Sequence, residues 1–315
     1  MSDLVKVRNQ WTEERPRYQR FVDCLARRLQ QDLAQEGVVA LVSGRAKDVD
    51  SLIKKLLLKK NLSYDQLSDR AGLRVIVRFR SEICAVDRLI EANYRLVKRD
   101  DKTEQLDPDK FNYQGLHLDV ELKSGVGSRT FRGYKAEIQV RTKAQNLWSE
   151  MAHELLYKGP VPLTKKLQRR LFSLVALLEM ADEQLETVED AMLSLPNAEI
   201  LRVLQILEKG FLRFNPVPYS RELSIHAIGA MVPIYEKTVR KWDQHFQEFV
   251  QRNAKKLKVV FTEAKGRSVF LTQPEVLMIF DLLDVDEDRL QQAWNQTFPS
   301  PELEELARIW GRPLD

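Results

Sequence analysis

Strand-forming sequence is confined to the first half of this chain. Between residues 38 and 158 short β-rich runs alternate with helical periodicity; beyond Pro162 the strand pattern nearly vanishes and helical patterns run almost to the end. Such a chain reads as α+β: a domain of strands and helices over residues 1–190, then an all-helical domain over 191–315, with the boundary inside 185–197. Its 315 residues suffice for two domains, and an apolar fraction of 43% suits a globular core.

Phe21, Cys24, Leu25, Leu29 and Leu33 recur at helical spacing, so residues 8–36 read as a helix ended by Gly37. A strand is expected at 38–43, a basic helix from Gly44, a strand at 71–79, a helix at 81–94 and a polar loop at 99–112. "LHLDVEL" (116–122) and "YKAEIQV" (134–140) alternate strictly, and a helix runs from Thr142 to about Leu156. Further on, helical patterns run over 163–193, 197–213, 220–254 and 274–310, broken by Pro196, by "NPVP" at 215–218 and by "FPSP" at 298–301. The run "KVVFTEAKGRSVFL" reads as a hairpin or as a helix–loop join. Trp242, Phe246, Phe249 and Val250 form the apolar side of an amphipathic helix.

The polar faces of the strands carry the chemistry. Alternation turns Glu137, Gln139 and Arg141 to one side, with Ala136, Ile138 and Val140 on the other. A half-buried Glu needs a partner, such as a metal ion or an Arg. Asp69 enters a strand in the pattern D-x-x-G-x-R, which sets Arg74 opposite Leu73, Val75 and Val77. An Asp there is either an oxygen ligand for a hard cation such as Mg²⁺ or a turn residue. Ser51 and Lys55, four apart, share a helix face, and Arg45 and Lys47 are placed at that helix's start. There, free backbone N–H groups attract anions. A polyphosphate fits this pattern; so does an ordinary basic amphipathic helix. Tyr113 and His117 precede and begin the alternating strand, as a stacking ring and a phosphate donor or as structural residues.

Taken in order, "GRAKDVDSLIKK", "DRAGLRVIVRF", "NYQGLH", "AEIQVRTKAQNLW" and "AHELLYKG" resemble the synthetase domain of the RelA/SpoT family, nearest to its small alarmone synthetases. The resemblance covers about residues 15–185. It implies a mixed β-sheet flanked by helices, related to nucleotidyltransferases, and transfer of pyrophosphate from ATP to a ribose 3′-hydroxyl. It implies that Arg45, Lys47, Lys55 and Arg74 hold ATP with Ser51 in the same pocket. Asp69 and Glu137 would be the catalytic pair and the Mg²⁺ ligands. Tyr113 would stack on the acceptor base, Asn146 would read its guanine edge, and His117 would face acceptor phosphates with Lys110 beside them. Gln139 and Arg141 would line or brace the site.

Three positions depart from the family pattern. Asn112 stands for a Gly, Asp109 for a basic residue, and Gly115 for the Ser of Y-x-S-x-H. Residues 98–111 hold four basic and five acidic residues, a poor surface for a charged 5′ tail. The acceptor is therefore GDP or GTP, or else the 3′-terminal adenosine of a tRNA or an adenine nucleotide, as in toxic members of the family. A non-catalytic nucleotide sensor is the alternative from another class.

Composition narrows the rest. Cys24 and Cys84 make neither a disulfide framework nor a zinc pattern, which favours a reducing cytoplasm. No stretch is apolar enough to span a membrane, and a net charge of +4 does not by itself call for nucleic acid. Residues 234–268 hold nine Lys/Arg against four Asp/Glu, and 274–315 hold three against ten: either solvated helix faces or an RNA surface beside an acidic tail. A homo-oligomer is allowed.

Overall fold

A computed structural model of the chain describes residues 3–58, 63–64, 67–101, 115–123, 125, 127–152, 154–155, 164–235 and 241–314. The chain divides into two compact units, Met1–Leu33 with Val38–Val188, and Ala34–Gly37 with Glu189–Asp315.

The first unit is a five-stranded mixed sheet with helices. Helix α1 spans Asp3–Gln35 and buries Trp11, Phe21, Leu25, Leu29 and Leu33 on one face, as their helical spacing requires. The strands are β1 (Leu41–Ala46), β2 (Ala71–Val77), β3 (Tyr94–Asp101), β4 (Leu116–Leu122) and β5 (Ala136–Thr142), in spatial order β1-β2-β5-β4-β3. Only β2 and β5 pair in parallel; β1–β2, β3–β4 and β4–β5 are antiparallel. Between the strands come α2 (Val49–Leu58) and α3 (Arg80–Asn93), and after β5 come α4 (Lys143–Ala152) and α5 (Lys165–Ser194). Along β2 burial alternates strictly: Leu73, Val75 and Val77 enter the core and Arg74 does not. In β5, Ala136, Ile138 and Val140 are fully buried on the same side.

Three expectations change. The first strand starts at Leu41 and continues to Ala46, so Gly44 and Arg45 are strand residues, paired with Leu73 and Gly72. Helix α2 begins only at Val49, because Asp48 caps it: its Oδ2 accepts from the backbone N–H of Asp50 and Ser51 at 3.1 and 3.2 Å. Those N–H groups are thus taken by the chain's own carboxylate, and Arg45 and Lys47 precede the helix rather than open it. Residues 99–101 belong to β3, not to a polar loop. The sequence "YRLVKRDD" hides this strand, because β3 is an edge of the sheet, with a register shift between Leu96 and Lys98, and edges carry charges.

The second unit is helical: α6 (Glu199–Leu212), α7 (Arg221–Tyr235), α8 (Trp242–Glu263), α9 (Val276–Val285), α10 (Glu287–Asn295) and α11 (Ser300–Trp310). Helix α9 buries eight of its ten residues, seven of them apolar and the eighth Asp281, which accepts from Tyr235 Oη at 2.7 Å, and this makes it the centre of the bundle. Phe280 stacks on Trp310 with ring centroids 4.4 Å apart. Phe246, Phe249 and Val250 are buried, as the amphipathic pattern of α8 requires. The helical pattern expected over 220–254 is instead α7 and α8, and that over 274–310, expected to break at residues 298–301, breaks there and also ahead of Glu287, giving α9, α10 and α11. Asp286 caps α10 and Pro299 precedes α11, which accounts for the two breaks in the latter stretch. The run expected as a hairpin or a join is the join, the end of α8 followed by a 3₁₀ turn at Val269–Thr272. Among the described residues no helix is long and apolar enough to cross a membrane.

Candidate active site

Strand register lays two polar rungs across the sheet. One runs Ser43, Arg74, Gln139, His117, Asp100; the next runs Arg45, Gly72, Glu137, Asp119, Lys98. A cavity of about 380 Å³ opens over the β1–β2–β5 part of these rungs. It is lined by Arg45, Lys47, Asp69, Arg74, Glu137 and Gln139, together with Ser43, Gly44, Gly72 and Leu73. Its volume lies within the usual range for small-molecule sites. Gly72 makes the opening: a Cβ there would meet nothing nearer than the Arg45 carbonyl oxygen at 4.0 Å.

Asp69 sits in a 3₁₀ turn, Ser68–Arg70, just ahead of β2. Its Oδ2 accepts hydrogen bonds from Lys47 Nζ and, at 2.7 Å, from Lys55 Nζ. Burial raises its carboxyl pKa, but the hydrogen bonds and charges of the two lysines outweigh this and hold it below the ordinary Asp value. Oδ1 is buried and has no hydrogen-bond partner among the described residues. Lys47 is fixed at its backbone: its carbonyl accepts from Trp11 Nε1 at 3.1 Å and Arg15 Nε at 3.2 Å, and its N–H donates to the Arg70 carbonyl at 2.9 Å.

Glu137 is held at both oxygens. His117 Nδ1 lies 3.1 Å from Oε1, and Gln139 Nε2 donates to Oε2 at 2.9 Å. Burial pushes its carboxyl pKa up, the His117 and Gln139 contacts pull it down further, and Asp69's charge opposes them; the net shift is downward. Arg141 Nη2 lies 3.4 Å from His117 Nε2. A guanidinium can only donate, so Nε2 accepts and the imidazole proton sits on Nδ1, facing Glu137. Arg141 is itself buried and donates to Ser149 Oγ at 2.7 Å; burial and then Arg74's charge lower its pKa to about 10.

The expected residues thus divide. Asp69, Glu137, Arg45, Lys47, Arg74 and Gln139 meet at one cavity, and Lys55 reaches it through Asp69. His117 and Arg141 stand behind Glu137. Ser51 is exposed on α2, where its N–H serves the Asp48 cap, and it does not line the cavity. Asn146 lies on α4, where its Nδ2 donates to Glu150 Oε1 at 3.3 Å while its Oδ1 is buried without a partner among the described residues. Tyr113 and Lys110 lie outside the described residues. Glu150 escaped the sequence reading. It holds Arg74 at 3.1 Å, and its only signal was the four-residue helical step from Asn146. Gly115 gains a reason for its departure from the family pattern: a Cβ there would stand 2.0 Å from the Val140 carbonyl oxygen, so a Ser has no room.

Residues 44–161 match the model of the region found in RelA / SpoT proteins. The GTP pyrophosphokinase YwaC of Bacillus subtilis is 28% identical over 200 residues, 59% of this chain and 93% of the relative. The small alarmone synthetase 2 from Bacillus subtilis superposes with a TM-score of 0.50 at 26% identity, over 58% of this chain and 99% of its own. The small alarmone synthetase 1 from the same organism, bound to its product pppGpp, gives a TM-score of 0.50 at 25% identity, over 58% of this chain and 98% of its own. The part of the chain that carries the sheet and its two-carboxylate cavity is thus similar to the region found in RelA / SpoT proteins and to small alarmone synthetases.

Proposed function

We propose that this chain is a Mg²⁺-dependent pyrophosphokinase that transfers the β,γ-pyrophosphoryl group of ATP to the ribose 3′-hydroxyl of GDP or GTP. The observation that carries the reading is the meeting of Asp69 and Glu137 at one cavity whose remaining polar lining includes Arg45, Lys47 and Arg74. In the reaction the 3′-oxygen bonds to the β-phosphorus, the bond from that phosphorus to the α–β bridging oxygen breaks, and AMP leaves.

The donor set suits magnesium. This ion takes one or two protein carboxylates and completes its shell with phosphate oxygens and water, and Asp69 Oδ1 has no partner among the described residues. Bound by Asp69 and Glu137, Mg²⁺ would supply charge neutralisation at the phosphates. Arg45 and Lys47 supply fixed positive charge at the triphosphate. Among the described residues Arg74 is tied only to Glu150, a half-exposed pair of small energetic value, and so can turn to phosphate at little cost. Glu137 orients the attacking hydroxyl and takes its proton. Its low pKa does not disqualify it, because a loose phosphoryl-type transition state depends on positioning and charge more than on base strength. His117 and Gln139 keep the carboxylate aimed, and Arg141 fixes the His117 tautomer.

A second reading keeps the ATP half and changes the acceptor to the 3′-terminal adenosine of a tRNA, or an adenine nucleotide. It rests on Asp109, Asn112 and Gly115, which leave the segment ahead of β4 poor in cations for a 5′ polyphosphate. The experiment is transfer from ATP labelled in its terminal phosphates, offering GDP, GTP, an adenine nucleotide and deacylated tRNA separately. Label on GDP or GTP supports the first reading, and label on tRNA or the adenine nucleotide alone supports the second. No transfer to any of them, with ATP bound, would favour a nucleotide sensor.

A further inference from the structure

The first unspecified residue of the D-x-x-G-x-R pattern is Arg70, and it does not line the cavity. Its side chain meets helix α1 instead. The guanidinium lies between two rings, 5.0 Å from the centroid of Tyr18 and 4.9 Å from that of Tyr64. Its Nη1 is 3.9 Å from Glu14 Oε2, and its Nε donates to the Leu67 carbonyl at 3.3 Å. Glu14 is held in turn: Tyr64 Oη donates to Oε2 at 2.6 Å, and Gln10 Nε2 donates to Oε1 at 2.9 Å. Helix α1, Tyr64 and the turn that carries Asp69 thus meet at one guanidinium.

The same side of α1 reaches the other half of the site. Trp11, Glu14, Arg15 and Tyr18 recur at three- and four-residue steps and so share a helix face. Trp11 and Arg15 both donate to the Lys47 carbonyl, and the Lys47 N–H donates to the Arg70 carbonyl. Arg70 therefore joins two sets of contacts. Its backbone fixes Lys47, its side chain is fixed by α1 and Tyr64, and its neighbour in the chain is Asp69. The turn has no cap of its own, since Leu67 at its N-cap makes no side-chain hydrogen bond. Packing alone does not call for an arginine here. An apolar side chain of similar length would fill the gap between two rings without desolvating a charge, and an ion pair of 3.9 Å offsets little of that cost. What the guanidinium adds is direction, a plane clamped between two rings with donors aimed at fixed points.

We propose that Arg70 is a positioning residue, a clamp through which α1 sets the Asp69 carboxylate and Lys47 against each other at the cavity. The proposal rests on the pyrophosphokinase reading, in which Asp69 holds Mg²⁺ and Lys47 the triphosphate. A misplacement of about 1 Å at such groups costs roughly a hundredfold in rate, even when its source lies outside the chemistry. Glu14, Tyr18 and Tyr64 act through Arg70 and touch no substrate.

The test compares wild type, Arg70→Met, Tyr64→Phe and a matched control, Arg28→Met, in the full chain. Methionine keeps an apolar stem between the rings and removes the charge and the donors. Phenylalanine keeps the Tyr64 ring and removes the bond to Glu14. Arg28 lies over Tyr94 at 5.3 Å and 3.8 Å from Asp32, so its loss takes a similar set of contacts from α1 without touching Arg70. Three quantities are read: kcat for label transfer, the thermal midpoint, and the affinity for Mn²⁺ by electron paramagnetic resonance. The Mn²⁺ titration contains an ATP analogue with a methylene at the α–β bridge, which binds without transfer. A merely structural residue lowers the folded fraction, and with it kcat and the midpoint, but leaves the metal affinity of the folded molecules alone. Arg70→Met should lower kcat roughly ten- to hundredfold and weaken Mn²⁺ binding about tenfold, and Tyr64→Phe should shift both the same way by less. Arg28→Met should leave the Mn²⁺ affinity at the wild-type value. Should Arg70→Met fail to fold, Tyr64→Phe decides alone. Wild-type Mn²⁺ affinity in the folded variants overturns the proposal whatever the midpoint does, as does an equal loss in Arg28→Met. A wild type that transfers label while Arg70→Met and Tyr64→Phe match it removes the clamp alone. A wild type that neither transfers label nor binds Mn²⁺ with the analogue removes the pyrophosphokinase reading and the clamp with it.

Discussion

His117 Nδ1 and Glu137 Oε1 lie 3.1 Å apart, on neighbouring strands β4 and β5. The pair is diagonal rather than opposed: His117 is registered with Gln139, and Glu137 with Asp119. The histidine therefore leans along the sheet to reach the carboxylate, and Arg141 stands on its other side. This makes His117 a positioning residue for Glu137. His117→Ala should lower kcat roughly ten- to hundredfold, as loss of a ligand's outer partner typically does, with the KM for ATP little changed. His117→Asn, which can still donate from a similar point, should recover part of the loss. An unchanged kcat in the alanine variant would separate the pair from the chemistry.

Gly72 stands opposite Glu137 in the parallel pairing and leaves the cavity open above β2. A valine suits a strand backbone better than a glycine, and the space for it is the ligand's space. Gly72→Val should therefore keep or raise the thermal midpoint while raising the KM for ATP by about tenfold or more, the usual scale of overpacking. A titration of ATP binding, by calorimetry, reads this directly.

Asp69 gathers Lys47 and Lys55, and its second oxygen has no partner among the described residues. Asp69→Asn keeps the shape and removes the charge. Transfer should fall by at least about a hundredfold, and binding of Mn²⁺ in the presence of nucleotide, followed by electron paramagnetic resonance, should weaken in parallel. Stability should drop by only about 1–3 kcal/mol, because both lysines retain access to water.

Glu275 supplies a pH prediction in the helical unit. It is fully buried, Ser224 donates to its Oε2 at 2.6 Å, and its Oε1 has no partner among the described residues. Burial pushes its carboxyl up to about 7 from 4.5. A raised carboxyl costs nothing while both folded and unfolded states are protonated. The cost begins as pH rises through the unfolded pKa and is complete above the folded one. The helical unit should lose about 3 kcal/mol between roughly pH 4.5 and pH 7 through this one group. Glu275→Gln should remove that slope in urea unfolding, raising stability at pH 8 and leaving it nearly unchanged at pH 4.5.

Much of this was legible in sequence, for physical reasons. Alternation located β4 from Leu116 to Leu122 without error, because a half-buried strand writes its two faces as two residue classes. The same rule sorted Glu137 and Gln139 from Ala136, Ile138 and Val140. Edges and caps were less legible. The end of β3 reads as loop because an edge strand can carry many charges, and β1 reads three residues early because Gly44 and Arg45 look like a helix entrance. Asp48 settles that entrance, yet nothing distinguishes it beforehand from the Asp50 that follows. The contacts that shape the site were least legible of all. Lys55 meets Asp69 across 14 residues, and Arg74 meets Glu150 across 76, separations at which no local period leaves a trace.

The central claim is that Glu137 serves transfer rather than structure. It is tested most directly by measuring label transfer from ATP to acceptor for wild type and Glu137→Gln side by side, with ATP affinity measured on both. Gln keeps the shape of the side chain and can accept from one of His117 and Gln139, but its amide nitrogen cannot accept from the other, and it can neither take a proton nor carry the charge. The account predicts transfer lowered by roughly 10²- to 10⁴-fold with ATP affinity and thermal midpoint near wild type. Wild-type turnover in Glu137→Gln would contradict it.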